Sequence, residues 1–219
     1  VLDSFRHKVP SLSACCADPN FTLMQGDARD QHLLAKVMID ADVLIPLAAV
    51  VGAPACDNDQ SAAVTTNFQA VRMLRLKASH NQLIIYPNTN SGYGTGGGEA
   101  CTESSPLNPV SLYGRTKVQA EEEVLNHCMG ISFRFATLFG ASPRMRLDLL
   151  VNDFTYRAVH DRALTLFEGS FRRNYLHVRD AANAFLFALE NAENKKMLGQ
   201  AFNAGLSSAN FNKRALCLK

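Results

Sequence analysis

Short apolar runs alternate along the chain with longer amphipathic stretches. The runs "FTLMQ" (21–25), "DVLIP" (42–46), "QLIIY" (82–86) and "ISFRF" (131–135) each predict a strand, and 31–40, 59–79 and 111–128 predict helices between them. Buried parallel strands are near-continuous in apolar residues. The rhythm therefore predicts an α/β fold, a parallel sheet covered by helices on both faces. The 111–128 helix opens at Ser111, just after Pro109, with Val118, Val124 and Leu125 on a common side.

Beyond 142 the pattern loosens. A helix over 146–160, short strands near 164–167 and 174–178, a helix over 179–192 and a strand over 200–204 are expected. There is no internal repeat and no low-complexity linker. The turn-rich stretch 87–110 exceeds twenty residues, and loops of that length in compact domains are usually functional or disordered. At the ends, Val1-Leu2 resembles the close of a strand and "NKRALCLK" the opening of a helix, so both ends are expected to be cut inside secondary structure.

Composition narrows the function classes. The 219 residues are 47% apolar and 19% charged with a net charge of +2, which is globular and argues against wholesale nucleic-acid binding. The longest apolar stretch, 43–56, holds Pro and Gly and is too short for a membrane span. No signal peptide is visible. Six cysteines at 15, 16, 56, 101, 128 and 217 lack zinc-type spacing, so no metal is expected and reduced thiols in a cytoplasmic protein are.

"YPNTNSGYGTGGG" (86–98) contains Gly92-x-Gly94-x-x-Gly97 directly after an apolar run. A dinucleotide loop needs a helix immediately afterwards, to set the pyrophosphate on its N-terminal amides. Here Pro106 and Pro109 follow instead, so the match is fortuitous. More informative is Tyr113-x-x-x-Lys117 at the start of the next helix. That spacing puts phenol and ammonium on one face, where a lysine would favour the phenolate. Alone, the same spacing fits a surface tyrosine beside a solvated lysine.

In this setting the sequence resembles the extended short-chain dehydrogenase/reductase family, in its NAD-dependent nucleotide-sugar epimerase and dehydratase branch. "VLDSF" resembles the end of the second strand, with Asp3 matching the carboxylate that binds the adenosine ribose. "GDARD" (26–30) resembles Gly-Asp-x-x-Asp, placing Asp27 and Ala28 at adenine. "IPLAAVVG" (45–52) resembles the cofactor-lining loop after strand four, giving Leu47, Ala48 and Ala49. Asn67 matches an asparagine that fixes the active-site backbone. Counting back four from Tyr93 in "YPNTNSGYG" puts the catalytic hydroxyl on Thr89. "SFRFATLFG", "SPRMR", "FRRNYLHVRDAANA" and "FNAG" follow the family's order.

The resemblance implies a Rossmann-like doubly wound sheet lacking its first strand and glycine-rich loop, with a gap where strand two should meet strand four. Residues 1–141 and 173–198 would form the cofactor domain, and 142–172 and 199–219 a partial substrate lobe. Tyr113 would be the acid/base on a sugar hydroxyl, Thr89 would bond the same oxygen, and Lys117 would bind the nicotinamide ribose and depress the Tyr113 pKa. Arg173 matches a diphosphate-binding arginine, Arg144 and Arg146 are further candidates, and Thr137 stands where an asparagine often touches the sugar. Pro46 replaces a usual histidine. His177 is assigned a structural role.

Dehydratases of this branch carry an acid just after the catalytic hydroxyl. Here Asn90, Ser91 and Gly92 follow Thr89, which favours epimerisation of a nucleotide-diphosphate sugar through a transient ketone. The alternatives are an NAD(P)H-dependent keto-sugar reductase and a non-catalytic member of the fold. Asp3 favours NAD over NADP, although Arg6 stands close by in sequence. A homodimer packed through the 59–79 and 111–128 helices is implied for the complete protein. For the piece alone, poor folding and no turnover are expected.

Overall fold

The computed structural model describes residues 1–95, 100–192 and 196–219. Two short parallel strands, β1 (Leu2–Asp3) and β2 (Met24–Gln25), form a sheet of their own. Helix α1 (Gln31–Met38) follows β2, capped by the Asp30 carboxylate, which accepts from the His32 and Leu33 amides. The strand β3 (Val43–Leu44) then opens a second, wholly parallel sheet. Its other members are β4 (Leu83–Thr89), β5 (Gly130–Phe135) and β8 (Gln200–Ala204), in the order β3-β4-β5-β8. No pairing joins β1 to β3 among the described residues, so the sheet is interrupted where the sequence places its gap.

Alternation along β4 and β5 divides the core. Leu83, Ile85, Ile131, Phe133 and Phe135 face one side, where α7 (Val178–Glu190) covers them with Ala181, Ala188 and Phe185. Ile84 and Tyr86 face the other, against α1, α4 (Ala70–Lys77) and α5 (Leu112–Leu125), through Leu34, Val71, Leu74, Ala120 and Val124. Each strand is thus buried on both faces, which explains its unbroken apolar sequence.

The 59–79 stretch is not one helix. After α2 (Ala53–Asn58), α3 (Gln60–Val64) passes through a π-helical turn, Thr65–Gln69, into α4. Such bulges are frequent at functional sites, and this one holds Asn67.

A three-stranded sheet joins β6 (Thr137–Phe139), β7 (Arg172–His177) and β9 (Asn210–Asn212), with β7–β9 antiparallel. Helix α6 (Leu150–His160) precedes β7, and α8 (Lys213–Leu216) ends the chain. Three expectations are corrected here. The "LTLF" run at 164–167 is not a strand: it pairs with nothing, and Phe167 is exposed. The helix expected from 146 begins at Leu150, because Arg146 pairs with Asp148 and its carbonyl accepts from Asn152 Nδ2. The 200–204 strand, grouped by sequence with the smaller lobe, pairs with β5 in the four-stranded sheet. His177 caps α7, its Nδ1 accepting from the Arg179 amide, and packs edge-on against Phe139. The six cysteines are free thiols.

Candidate active site

The C-terminal ends of parallel strands are where this architecture places its chemistry. Thr89 is the last residue of β4, in register with Phe135 of β5. Its Oγ1 accepts from the Ser91 amide at 3.2 Å, turning the chain into a 3₁₀ turn, Asn90–Tyr93. That turn ends at Gly94, with φ +78, where a Cβ would lie 2.2 Å from the Asn108 carbonyl oxygen. Gly94 therefore serves a tight crossing of the loop rather than a phosphate, and among the described residues no helix follows until α5. Gly97, the third glycine of the motif, lies outside the described residues.

The loop returns to α5, whose N-terminus is capped by Ser111 Oγ accepting from the Gly114 amide at 3.0 Å. This sets Tyr113 in the first turn and Lys117 one turn on. Tyr113 packs on Val50, Cys56, Ala62 and Ala63, and its phenol lies close enough to the Thr89 hydroxyl, which donates to Ser91 Oγ at 3.2 Å, for that hydroxyl to act on its pKa. Burial pushes the phenol up to about 12, the Cys56 thiol adds to the rise, and the Thr89 hydroxyl and the Arg146 guanidinium pull it down. Lys117 is fully buried. Burial lowers its pKa to about 7 against the opposing pull of Glu121, and its Nζ lies 4.1 Å from the Tyr86 ring centroid. The expected depression of Tyr113 by Lys117 is therefore not what this geometry produces. Arg146 and Thr89 are the groups that act on the phenol.

Asn67 is almost wholly buried and clamps the backbone of one residue, Val50. Its Oδ1 accepts from the Val50 amide at 2.8 Å, and its Nδ2 donates to the Val50 carbonyl at 2.9 Å and to Thr116 Oγ1 at 3.3 Å. This fixes the end of the 45–52 segment beside Tyr113. Leu47 and Val51 remain uncovered there, 66% and 42% exposed, with Ala48 and Ala49 between them.

Asp3 ends β1, its exposed carboxylate accepting from the Phe5 amide at 2.7 Å. Asp27 follows β2 and is held by Arg29, whose Nη2 donates to it at 2.6 Å, so its carboxyl sits below the usual range. Ala28 lies between them in a partly buried turn.

A positive neighbourhood completes the edge. Burial, together with Arg144, Arg6 and Arg146, depresses His7, and Arg146 also reaches Tyr113. Arg173 stands apart from that group, exposed on β7 over the Phe171 ring at 5.9 Å. Thr137 begins β6, partly buried and in register with Tyr175. An open depression of about 300 Å³ between α6 and 165–167 contains neither Thr89 nor Tyr113. Among the described residues no cluster of side chains could hold a metal ion, and no helix is long and apolar enough to cross a membrane.

Sequence reasoning missed two roles. Arg146, rather than Arg144, is the arginine that acts on the phenol. Glu121 is buried behind Lys117 with Asn88 and Arg134. Its position midway between Val118 and Val124 on the apolar side of α5 was the available signal.

The family model described as the NAD dependent epimerase/dehydratase family matches residues 3–205. An uncharacterised UDP-glucose epimerase, YtcB of Bacillus subtilis (strain 168), is 27% identical over 210 residues, 92% of this chain and 64% of that protein. The low-salt glycan biosynthesis protein Agl12 of Haloferax volcanii is 27% identical over 195 residues, 85% of this chain and 61% of its own. Among solved structures, the UDP-glucuronic acid 4-epimerase of Bacillus cereus, in complex with UDP-glucuronic acid and NAD, is 26% identical. It superposes with a TM-score of 0.80 over 93% of this chain and 68% of that one. A dTDP-glucose 4,6-dehydratase of Streptomyces venezuelae, 24% identical with a TM-score of 0.83 over 99% of this chain and 68% of that one, shares the fold. The chain spans less than two thirds of the length of these curated relatives.

Proposed function

The chain belongs to the NAD dependent epimerase/dehydratase family, and from that premise we propose that the protein epimerises a nucleotide-diphosphate sugar through a transient ketone. The observation that carries this reading is the Thr89 hydroxyl at the end of β4 brought near the Tyr113 phenol at the start of α5, with Lys117 one turn further along the same helix.

The residues present fit NAD. An uncovered apolar wall, Leu47 and Val51, flanks the clamped Val50 and suits a flat ring. The Asp3 carboxylate at the end of β1 offers acceptors to ribose hydroxyls. In this reading Ala28, Asp27, Ala48 and Ala49 would line the path between these points, the buried Asn67 would hold the loop from behind, and Lys117 would reach the second ribose. When bound, NAD supplies the reversible two-electron acceptor that this chemistry needs.

The protein's own part is the proton. Tyr113 takes it from a sugar hydroxyl as the carbon is oxidised and returns it when the carbon is reduced on its other face. Thr89 holds the reacting oxygen in the position its hydroxyl now shares with the phenol. A phenol near 12 is almost wholly protonated at neutral pH, and the positive charge of Arg146 is one of the influences that favour the phenolate. Burial and the charges of Arg144, Arg6 and Arg146 hold His7 neutral, and these three arginines form a positive field suited to the diphosphate. Arg173 and Thr137, on either side of the 142–172 segment, belong to the sugar-nucleotide side of this reading.

Elimination of water needs a proton donor beside the leaving hydroxyl. Asn90 and Ser91 follow Thr89 and supply no carboxylate, which favours epimerisation over dehydration. The reading includes a cytoplasmic homodimer joined through the 59–79 and 111–128 segments. Its test is NMR of nucleotide-diphosphate sugars incubated with the intact protein and catalytic NAD. Appearance of the epimer without net cofactor consumption supports it. Stoichiometric oxidation of NAD(P)H identifies a keto-sugar reductase instead, and no change in any sugar identifies a non-catalytic member.

A further inference from the structure

Behind the Thr89–Tyr113 pair lies a closed circuit of buried polar groups that the proton transfer itself does not use. Asn88 and Arg134 are register partners on β4 and β5, both facing α5. Glu121 of α5 sits between them. Its Oε2 accepts from Asn88 Nδ2 at 2.7 Å and from Ser132 Oγ at 2.6 Å, and its Oε1 accepts from Arg134 Nη2 at 2.7 Å. Asn88 Oδ1 accepts from the Thr89 amide at 2.8 Å. On the other side of the 3₁₀ turn, Arg134 Nη1 donates to the Tyr93 hydroxyl at 2.9 Å, and that hydroxyl donates to Asn203 Oδ1 at 2.6 Å. Arg134 Nη1 also donates to the Glu103 carbonyl at 3.0 Å, and Asn203 Nδ2 to the Cys101 carbonyl at 3.1 Å.

Thr89 is therefore held from both ends. Its own amide is fixed through Asn88, and the turn that its hydroxyl caps is fixed through Tyr93. Both tethers run to one carboxylate, one helical turn beyond Lys117 on the helix that also carries Tyr113. We infer that Asn88, Tyr93, Glu121 and Arg134 are positioning residues, which together set the Thr89 hydroxyl against the Tyr113 phenol.

Stability alone does not account for such a circuit. A buried ion pair is often no more stabilising than apolar residues of the same volume. Misplacing a reacting group by roughly 1 Å, in contrast, lowers a rate by about 100-fold. The inference rests on the proposed epimerase reading for what Thr89 does, but not for how Thr89 is held.

The test uses Tyr93→Phe in the intact protein. This removes one oxygen and keeps the ring, which lies 5.2 Å from the Arg134 guanidinium. Amide hydrogen exchange at Ser91, whose N–H bonds to Thr89 Oγ1, should speed up by roughly tenfold. In turnover, kcat should fall by roughly tenfold with KM within about twofold, and in a Thr89→Val background the same change should alter kcat by less than about twofold. Asn88→Ala, which releases Thr89 from the other end, should give the same pattern.

Unchanged Ser91 exchange in both variants overturns the inference. So do equal losses of kcat in the wild-type and Thr89→Val backgrounds, since a merely structural defect does not depend on the hydroxyl. If the wild-type protein turns over no nucleotide sugar, the proposed function falls, and the exchange measurement still decides the positioning.

Discussion

Asn67 holds both backbone polar groups of Val50, accepting from its amide at 2.8 Å and donating to its carbonyl at 2.9 Å. Val50 and Tyr113 pack in the same small cluster, so this side chain connects the π-helical turn to the candidate acid/base residue. Asn67→Leu is nearly isosteric and leaves the buried Val50 amide unpaired and its carbonyl with only the Cys56 thiol, at 3.3 Å. Unsatisfied buried groups cost about 1–3 kcal/mol each. The variant should therefore lose on the order of 2–4 kcal/mol in urea unfolding. A loss below about 0.5 kcal/mol, the range of ordinary surface changes, would show that the clamp is dispensable.

Lys117 carries a pH signature. Burial draws its pKa from 10.5 to about 7, so between those values the unfolded chain binds a proton that the folded chain does not. The penalty is fully present below pH 7 and disappears above 10.5, and stability rises with pH across that window. Lys117→Met removes the titrating group. It should be more stable than wild type at pH 7, by on the order of a few kcal/mol, with the difference shrinking by about pH 9.5. Urea midpoints at the two pH values measure this. A gap that stays constant with pH would mean that Lys117 keeps an ordinary pKa.

Thr89→Val keeps the shape of the side chain at the end of β4 and removes its hydroxyl. Loss of one hydrogen bond to the reacting oxygen should lower kcat by about 10- to 100-fold, with binding of the nucleotide portion unchanged in calorimetry. A variant as fast as wild type would remove Thr89 from the chemistry.

The strands β4 and β5 were legible because each is buried on both faces, which leaves an unbroken apolar run. β6 and β9, three residues each, carry no such signal. The "LTLF" run has the composition of a strand but no partner, and composition cannot supply one. The π-helical turn was hidden because Thr65, Thr66 and Asn67 are weak helix formers in many contexts and nothing in their order marks a bulge. In the site, Tyr113 and Lys117 were visible from spacing and Thr89 from its distance to Tyr93. The circuit behind them was not. Glu121 lies in the charged triplet 121–123, which resembles a solvated face. In the fold it is buried, while Glu122 is exposed and Glu123 pairs with Arg72 and Arg75. Asn88 and Arg134 meet it only through the register of two strands.

The central claim is that the Tyr113 phenol moves the proton. The measurement that tests it most directly is the epimerisation rate of the intact protein against Tyr113→Phe, with NAD binding of both followed by calorimetry. The account predicts a rate lowered by about 100- to 10,000-fold, the range for losing a general acid/base, with NAD bound equally well by the two proteins. Turnover within about threefold of wild type, far short of that range, would contradict it.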